Sequence, residues 1–352
     1  MKEKSKFKIK HPRIHLLLRT LKRIVKRDDY YVQRVLLLGE DIDLIDIEHK
    51  GDIDYGKIIY VISENAGNEG FCATLRFIVG FLMYAKQHGF APKIRLTKEF
   101  AYYDEEKSIE TDNPWEYYFL PEDEGYEEEK ALNVVNAKFF QMMKIKEYPW
   151  IDAYTLDNYY NKDLFEKTAP LINKYMEIKP EILDEASMLL SAVRNNKGKI
   201  LGVHYRGTDF KNGYNDHPVY IDEKQMIEEI KKALETNKFQ GVFLATDDKS
   251  ALDIIKDSFE KIDFLFYPDV FRSDGNRSVA FSKSNRRCHH YLLGREIVRD
   301  MYTLSLCDGL VAGKSSVSYM SNLYKHSRYE EYEYMHIIDN GNNVNEKKFE
   351  IQ

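Results

Sequence analysis

Cysteine is scarce in this chain of 352 residues: Cys72, Cys288 and Cys307 are odd in number and far apart. They supply neither a disulfide framework nor a metal-spaced pair, which fits a reducing compartment and a cytoplasmic protein. Fixed-period repeats and Pro/Gly/Ser-rich linkers are missing as well, which excludes solenoids and tethered modules. A membrane-spanning helix needs roughly 20 apolar residues in a row, but the longest run near the N-terminus is Leu16-Leu17-Leu18 between charges. No small-residue cleavage site follows it, so no secretory signal is expected. Ser-His-Asp, HExxH and zinc-ligand patterns are absent, and no metal site is expected. His289-His290 beside Cys288 would point in different directions on a helix and make no ligand set.

Charge is present in quantity but unevenly placed. The net charge is −6, yet residues 1–27 hold eleven Lys and Arg against Glu3 alone, a local balance of +10 that leaves −16 on the remaining 325 residues. Ile14, Leu17, Leu18, Leu21, Ile24 and Val25 recur at helical spacing between Arg13, Arg19, Lys22, Arg23 and Lys26. Such a basic amphipathic stretch suits an anionic membrane surface, and equally a solvated arm. An acidic body argues against nucleic acid as a partner.

Beyond this arm, strand-like runs alternate with helical ones, the pattern of parallel sheets covered by helices. In the first half, residues 57–62 (KIIYVI) and 93–96 are expected strands. A glycine-bearing turn with Gly67, Asn68 and Gly70 lies between them, followed by a helix over 74–88 that Gly89 stops. Residues 103–130, with their clustered acids, are expected as an exposed loop, and 137–178 as mainly helical. The second half is more regular. Strands are expected over 199–205, 241–246, 263–267 and 309–312, and helices over 222–235, 249–259, 290–306 and from about Ser316. The chain therefore divides into a basic lead-in (1–50), an N-terminal α/β unit (51–195) and a C-terminal Rossmann-like unit (196–352).

Ligands of open α/β sheets bind beyond the carboxyl ends of strands, and three such edges carry polar residues. In Gly202-Val203-His204-Tyr205-Arg206-Gly207-Thr208-Asp209, alternation puts His204 and Arg206 on one face. An arginine there can clamp a diphosphate, and Gly207 permits close backbone approach; a surface ion pair of Arg206 with Asp209 is the plainer reading. Asp247 and Asp248 follow the next strand, where they suit ribose or metal but also cap a helix; at least one is a cap, and the segment has no D-x-D. Gly313-Lys314-Ser315-Ser316 opens a helix whose free N–H groups attract phosphate, or which is simply serine-capped. It is not a Walker loop, since position 308 is Asp308. Together the edges fit a nucleoside diphosphate better than any one motif does.

Taken in order, these segments resemble the superfamily of α1,6-, nodulation and protein O-fucosyltransferases. Gly202 to Asp209 (GVHYRGTD) is similar to that family's V-H-x-R-x-x-D motif, and His217-Pro218 to a His-Pro pair that follows it in the α1,6 enzymes. Val242 to Asp248 (VFLATDD) resembles the second motif, and Asp300, Leu304-Ser305, Asp308 and Ser315-Ser316 the third. The resemblance covers about 200–320, with a looser likeness of the turn at Gly67 and Asn68 to the family's glycine loop.

The resemblance implies a GT-B-like fold, two Rossmann-like domains facing a cleft, and an inverting fucosyltransferase that uses GDP-fucose and no further cofactor. Arg206 would then hold the β-phosphate, His204 and Asp300 the guanine, and Ser315 and Ser316 a phosphate. The glycan acceptor would be a surface-polysaccharide or lipid-linked precursor. Two departures stand out. Many relatives carry a second arginine where this chain has Gly207. The Lys and Glu implicated in acceptor deprotonation are answered only by Lys211, which makes Asp216, or else Asp209, the expected base. The alternatives are another nucleotide sugar on the same fold, and a non-catalytic nucleotide- or sugar-binding relative.

Overall fold

The computed structural model describes residues 11–26, 47–63, 70–121, 124–142, 145, 151–273 and 278–348. Two compact units separate, residues 1–48 and 49–352. The first carries helix α1 (Pro12–Val25) and the two-residue strand β1 (Ile47–Glu48). Pro12 opens α1 at the position where a missing N–H costs nothing. The residues at helical spacing stay outside: Leu17 is 59% and Leu18 55% exposed, and Ile14, Leu21, Ile24 and Val25 are exposed with them.

The larger unit contains two parallel sheets, as the alternating pattern requires. In the smaller sheet, β2 (Ile59–Ile62) pairs in parallel with β3 (Ala91–Ile94) on one side and β4 (Val134–Asn136) on the other. Every residue of β2 is buried, which is why it appears in the sequence as an unbroken apolar run. Helix α2 (Phe71–His88) is apolar nearly all round and correspondingly buried. It ends where Gly89 takes a left-handed conformation at φ 68°, as the stop signal indicated. The short helix α3 (Phe139–Met142) and α4 (Lys162–Tyr175) follow.

The larger sheet is five-stranded, in the order β7 (Asp263–Leu265), β6 (Gly241–Thr246), β5 (Ile200–Tyr205), β8 (Gly309–Gly313), β9 (Tyr334–Ile338). All its pairings are parallel. The chain thus starts in the middle, builds outward to one edge and returns to build the other. The order reverses between β5 and β8. Along β5, Leu201, Val203 and Tyr205 face a core shared with α6 (Glu223–Thr236) and α7 (Lys249–Asp257). Ile200, Gly202 and His204 alternate onto the opposite face, towards α8 (His289–Leu306). A Cβ on Gly202 would stand 3.2 Å from Leu304 of α8 and from Cys307, which caps it, so glycine lets that helix settle close to the strand. Helix α5 (Pro180–Arg194) packs on α8, β5 and β7, although it precedes residue 196. Helix α9 (Ser316–Ser327) contacts α8 and also α2 and α4, tying the two sheets into one body.

Residues 103–130 depart from expectation. Their acids do face outward for the most part, but Trp115, Tyr117, Tyr118 and Phe119 are buried. Trp115 stacks on Phe119 with ring centroids 3.8 Å apart, and the Tyr118 hydroxyl donates to the Tyr291 carbonyl of α8 at 3.1 Å. The segment is a core wedge with an acidic rind. Its density of aromatic residues, rather than its charge, was the informative feature.

Candidate functional site

The reversal between β5 and β8 opens a crevice, and here it is a cleft of about 490 Å³. It is bordered by Gly70, Phe71, Cys72 and Ala73 at the start of α2, by His204, Arg206, Asp247, Ser315 and Ser316 at the larger sheet's carboxyl edge, and by Asp300 of α8. That is where a doubly wound sheet binds its ligands.

One end of the cleft is cationic and rich in donors. The Arg206 guanidinium is held by Asp247 on one side and by Asp209, at 2.5 Å, on the other. Burial alone would depress its basicity, but the two carboxylates raise it further, so the charge is fixed. Asp247 is itself pinned by the Gly207 N–H at 3.0 Å and the Thr208 hydroxyl at 2.7 Å. Ser315 caps α9, its Oγ accepting from the Ser318 N–H at 3.1 Å. Tyr159 buttresses this turn: the Ser315 N–H donates to its hydroxyl at 3.0 Å, and the same hydroxyl meets Ser318 Oγ at 3.1 Å. His204 Nδ1 lies 3.2 Å from Ser315 Oγ. Burial pulls its pKa down to about 4, Arg206 adding to the effect and Asp247 opposing it, so the ring is neutral near pH 7.

The other end is a slot with apolar walls, including Val270, Phe271, Val279, Leu293 and Ile297, with Asp300 among them. Burial raises the Asp300 carboxyl to about 7 despite the opposing fields of Arg272 and Arg299. Arg299 anchors this wall, donating to Glu185 at 2.8 Å and to Asp269 at 2.8 Å while its guanidinium lies 3.8 Å from the centroid of Tyr267. Glu296 accepts from the Phe271 N–H at 3.1 Å and pairs with Arg286.

The sequence-expected residues divide cleanly. Arg206, His204, Asp209, Asp247, Asp300, Ser315 and Ser316 border the cleft. Asp248 instead caps α7 through the Ala251 N–H at 3.1 Å and holds Lys211 at 2.5 Å, so neither faces the cleft. Gly207 has a structural reason in place of the expected ligand approach: a Cβ there would fall 2.5 Å from that of Asp248. The same contact leaves no room for the second arginine of the resembling family. Asp216 is exposed, with φ 63° and its carboxylate accepting from Asn215 at 2.7 Å. Gly67 and Asn68 lie outside the described residues. His289 is engaged by Ser282 and Arg286. The sequence reading missed the apolar slot, whose residues are scattered over three segments, and it missed Tyr102 and Tyr154, which also border the cleft.

No protein-family model and no curated protein matches the chain. Among solved structures, it is similar to the fucosyltransferase NodZ from Bradyrhizobium, with a TM-score of 0.46 and 15% identity over 77% of this chain and 92% of that one. A NodZ α-1,6-fucosyltransferase co-crystallised with GDP gives a TM-score of 0.45 and 15% identity, over 77% and 91%. POFUT1 in complex with GDP gives 0.43 and 12%, over 81% and 99%.

Proposed function

We propose that the protein is a glycosyltransferase of GT-B-like architecture, an inverting fucosyltransferase that takes fucose from GDP-fucose. The observation that carries this reading is the polarity of the cleft. A fixed cation and a helix start lie at one end, and a carboxyl group between apolar walls lies at the other. A nucleoside diphosphate has the complementary layout. Its phosphates suit Arg206 and the Ser316 N–H at the start of α9. Its base suits the slot, where Asp300 as a carboxylate accepts from the ring N–H and exocyclic amino group that guanine presents side by side. His204, neutral, orients Ser315. The volume falls in the range of small-molecule sites, about 300–1,000 Å³.

In the reaction, an acceptor hydroxyl attacks the anomeric carbon as the bond to the diphosphate breaks. Negative charge grows on the leaving phosphate, so Arg206 binds the transition state more strongly than the ground state. Asp209 and Asp247 would hold the guanidinium in place for it. The donor half would begin with α5, the first smaller-sheet half would form the acceptor side, and the acceptor would be a membrane-borne glycan precursor. The last reading rests on α1, whose exposed apolar row and basic surroundings suit an anionic lipid surface. No helix among the described residues is long and apolar enough to cross a membrane.

Calorimetric titration with GDP, with UDP and ADP as controls, tests the donor. GDP should bind selectively. Arg206→Ala should lose on the order of 3 kcal/mol of transition-state stabilisation, roughly a hundredfold in turnover. Equal binding of all three nucleotides would remove the basis for naming GDP.

A further inference from the structure

The transfer just proposed needs a group that takes the acceptor's proton, and neither carboxylate expected for that task is placed for it. Asp216 is exposed and does not border the cleft. Asp209 borders it but is committed to Arg206 at 2.5 Å and lies 3.1 Å from the Thr208 hydroxyl. The remaining titratable groups of the cleft are also accounted for. Asp247 is tied to Arg206, Gly207 and Thr208. Glu296 and Asp300 stand at the slot end, and His204 Nδ1 lies 3.2 Å from Ser315 Oγ. Cys72 is a thiol that burial keeps protonated, Tyr102 accepts from the Phe71 N–H at 3.1 Å, and Tyr154 is a phenol packed against the ring of His217.

The residue immediately after Asp216 is placed for the task. His217 borders the cleft alongside Arg206, Asp209 and Tyr154. Three rings surround its imidazole, Tyr154 at 5.6 Å, Tyr214 at 5.8 Å and Phe210 at 6.0 Å between centroids. Its backbone is fixed from the far end of the chain: the His217 carbonyl accepts from the Asn343 N–H at 2.8 Å and from the Asn343 side-chain amide at 3.1 Å. The Asp216 N–H in turn donates to the Asn343 carbonyl at 3.0 Å, which helps hold Asp216 in its left-handed turn and sends the next side chain inward.

We infer that His217 is the general base of the transfer, positioned by Asn343 on the tail that follows β9. The inference rests on the donor reading above. As the acceptor oxygen forms its bond to the anomeric carbon, its O–H electrons become that oxygen's lone pair and the proton passes to an imidazole nitrogen. The bond to the phosphate breaks with its electron pair leaving on GDP, and the imidazolium later returns its proton to water. The charges facing the ring are Asp209, Arg206 and Asp216; burial lowers its pKa, with Arg206 adding to that and the two acids opposing it. The ring is therefore the neutral, proton-accepting form near pH 7.

The test uses the full chain and water as the acceptor, following GDP release from GDP-fucose against pH. GDP affinity is measured by calorimetry on the same samples, so that a wild type unable to bind GDP is recognised as a failure of the donor reading. At saturating GDP-fucose, where the pH dependence of donor binding drops out, His217→Ala should lower the rate at least a hundredfold and remove its acid limb, with GDP affinity within about twofold of wild type. Added imidazole should restore part of the rate. The milder Asn343→Ala should lower turnover while leaving GDP affinity and the thermal midpoint near wild type. A His217→Ala rate within threefold of wild type with the acid limb kept, or a rate loss matched by a loss of GDP affinity, would overturn the assignment.

Discussion

Asp300 shows how much a single side chain's setting can decide. In the sequence it is one acid in a helix, and nothing in its neighbours reveals that it ends between apolar walls with its carboxyl raised to about 7. Burial, opposed by Arg272 and Arg299, makes this group a proton reservoir near neutrality. If it receives guanine as a carboxylate, binding below about pH 7 must expel a proton. GDP affinity should then fall as pH drops from 7.5 to 5.5, by up to about tenfold per unit. Proton release should appear as a dependence of the binding heat on the buffer's ionisation enthalpy. Asp300→Asn should bind GDP more weakly and lose the slope; a slope that survives in this variant would place the titrating group elsewhere. The sign for folding follows the same rule: a carboxyl raised in the folded state stabilises fully at low pH, and that contribution is lost as pH rises through about 7. Arg206, His204 and Ser315 were legible because strand ends announce themselves in sequence. The slot was not, because its walls come from turns and a helix face with no shared spacing.

Elements were easier to find where one of them is buried on both faces. The runs that became β2, β5, β6 and β8 are mostly apolar and buried along almost their whole length, and α2 ends at the glycine that marks its stop. Strand β4 was invisible because it has only three residues, VVN, and gains its place from pairing with β2. Strand β9 was missed for a different reason: three of its five residues are only half-buried at the sheet's edge, so no apolar run advertises it. Helix α1 is the opposite case, an element whose pattern is plain and whose apolar row remains exposed, Val25 at 81%. Exposure of that row beside a +10 segment predicts partitioning onto anionic lipid. Co-sedimentation with vesicles containing phosphatidylserine should recover most of the full chain at low salt and little of a variant lacking residues 1–27. High salt should weaken the binding, since charges at the surface are screened over about 10 Å at 0.1 M. Equal recovery of both proteins would remove the anchor.

At the scale of the whole molecule, the cleft is bordered by residues of the 49–352 unit, from the start of α2 as well as from the larger sheet's carboxyl edge. Helix α9 begins at the cationic end of the cleft and runs on to pack against α2 and α4, so the segment that would grip a ligand also joins the two sheets. A ligand seated at Ser315 and Arg206 therefore stabilises the junction on which cooperative unfolding depends. By mass action, GDP at a hundred times its dissociation constant should add about 2.7 kcal/mol to the stability of the folded chain. That corresponds to a rise of several degrees in the melting temperature, at roughly 2–4 °C per kcal/mol for chains approaching this size. The same rise is expected after removal of residues 1–27, since none of the described residues there borders the cleft, and it should shrink sharply in Arg206→Ala. A melting curve in which GDP shifts only part of the transition would mean that the sheets unfold separately and that α9 does not couple them. A single transition shifted as a whole would show that the ligand site and the junction between the sheets are one structure.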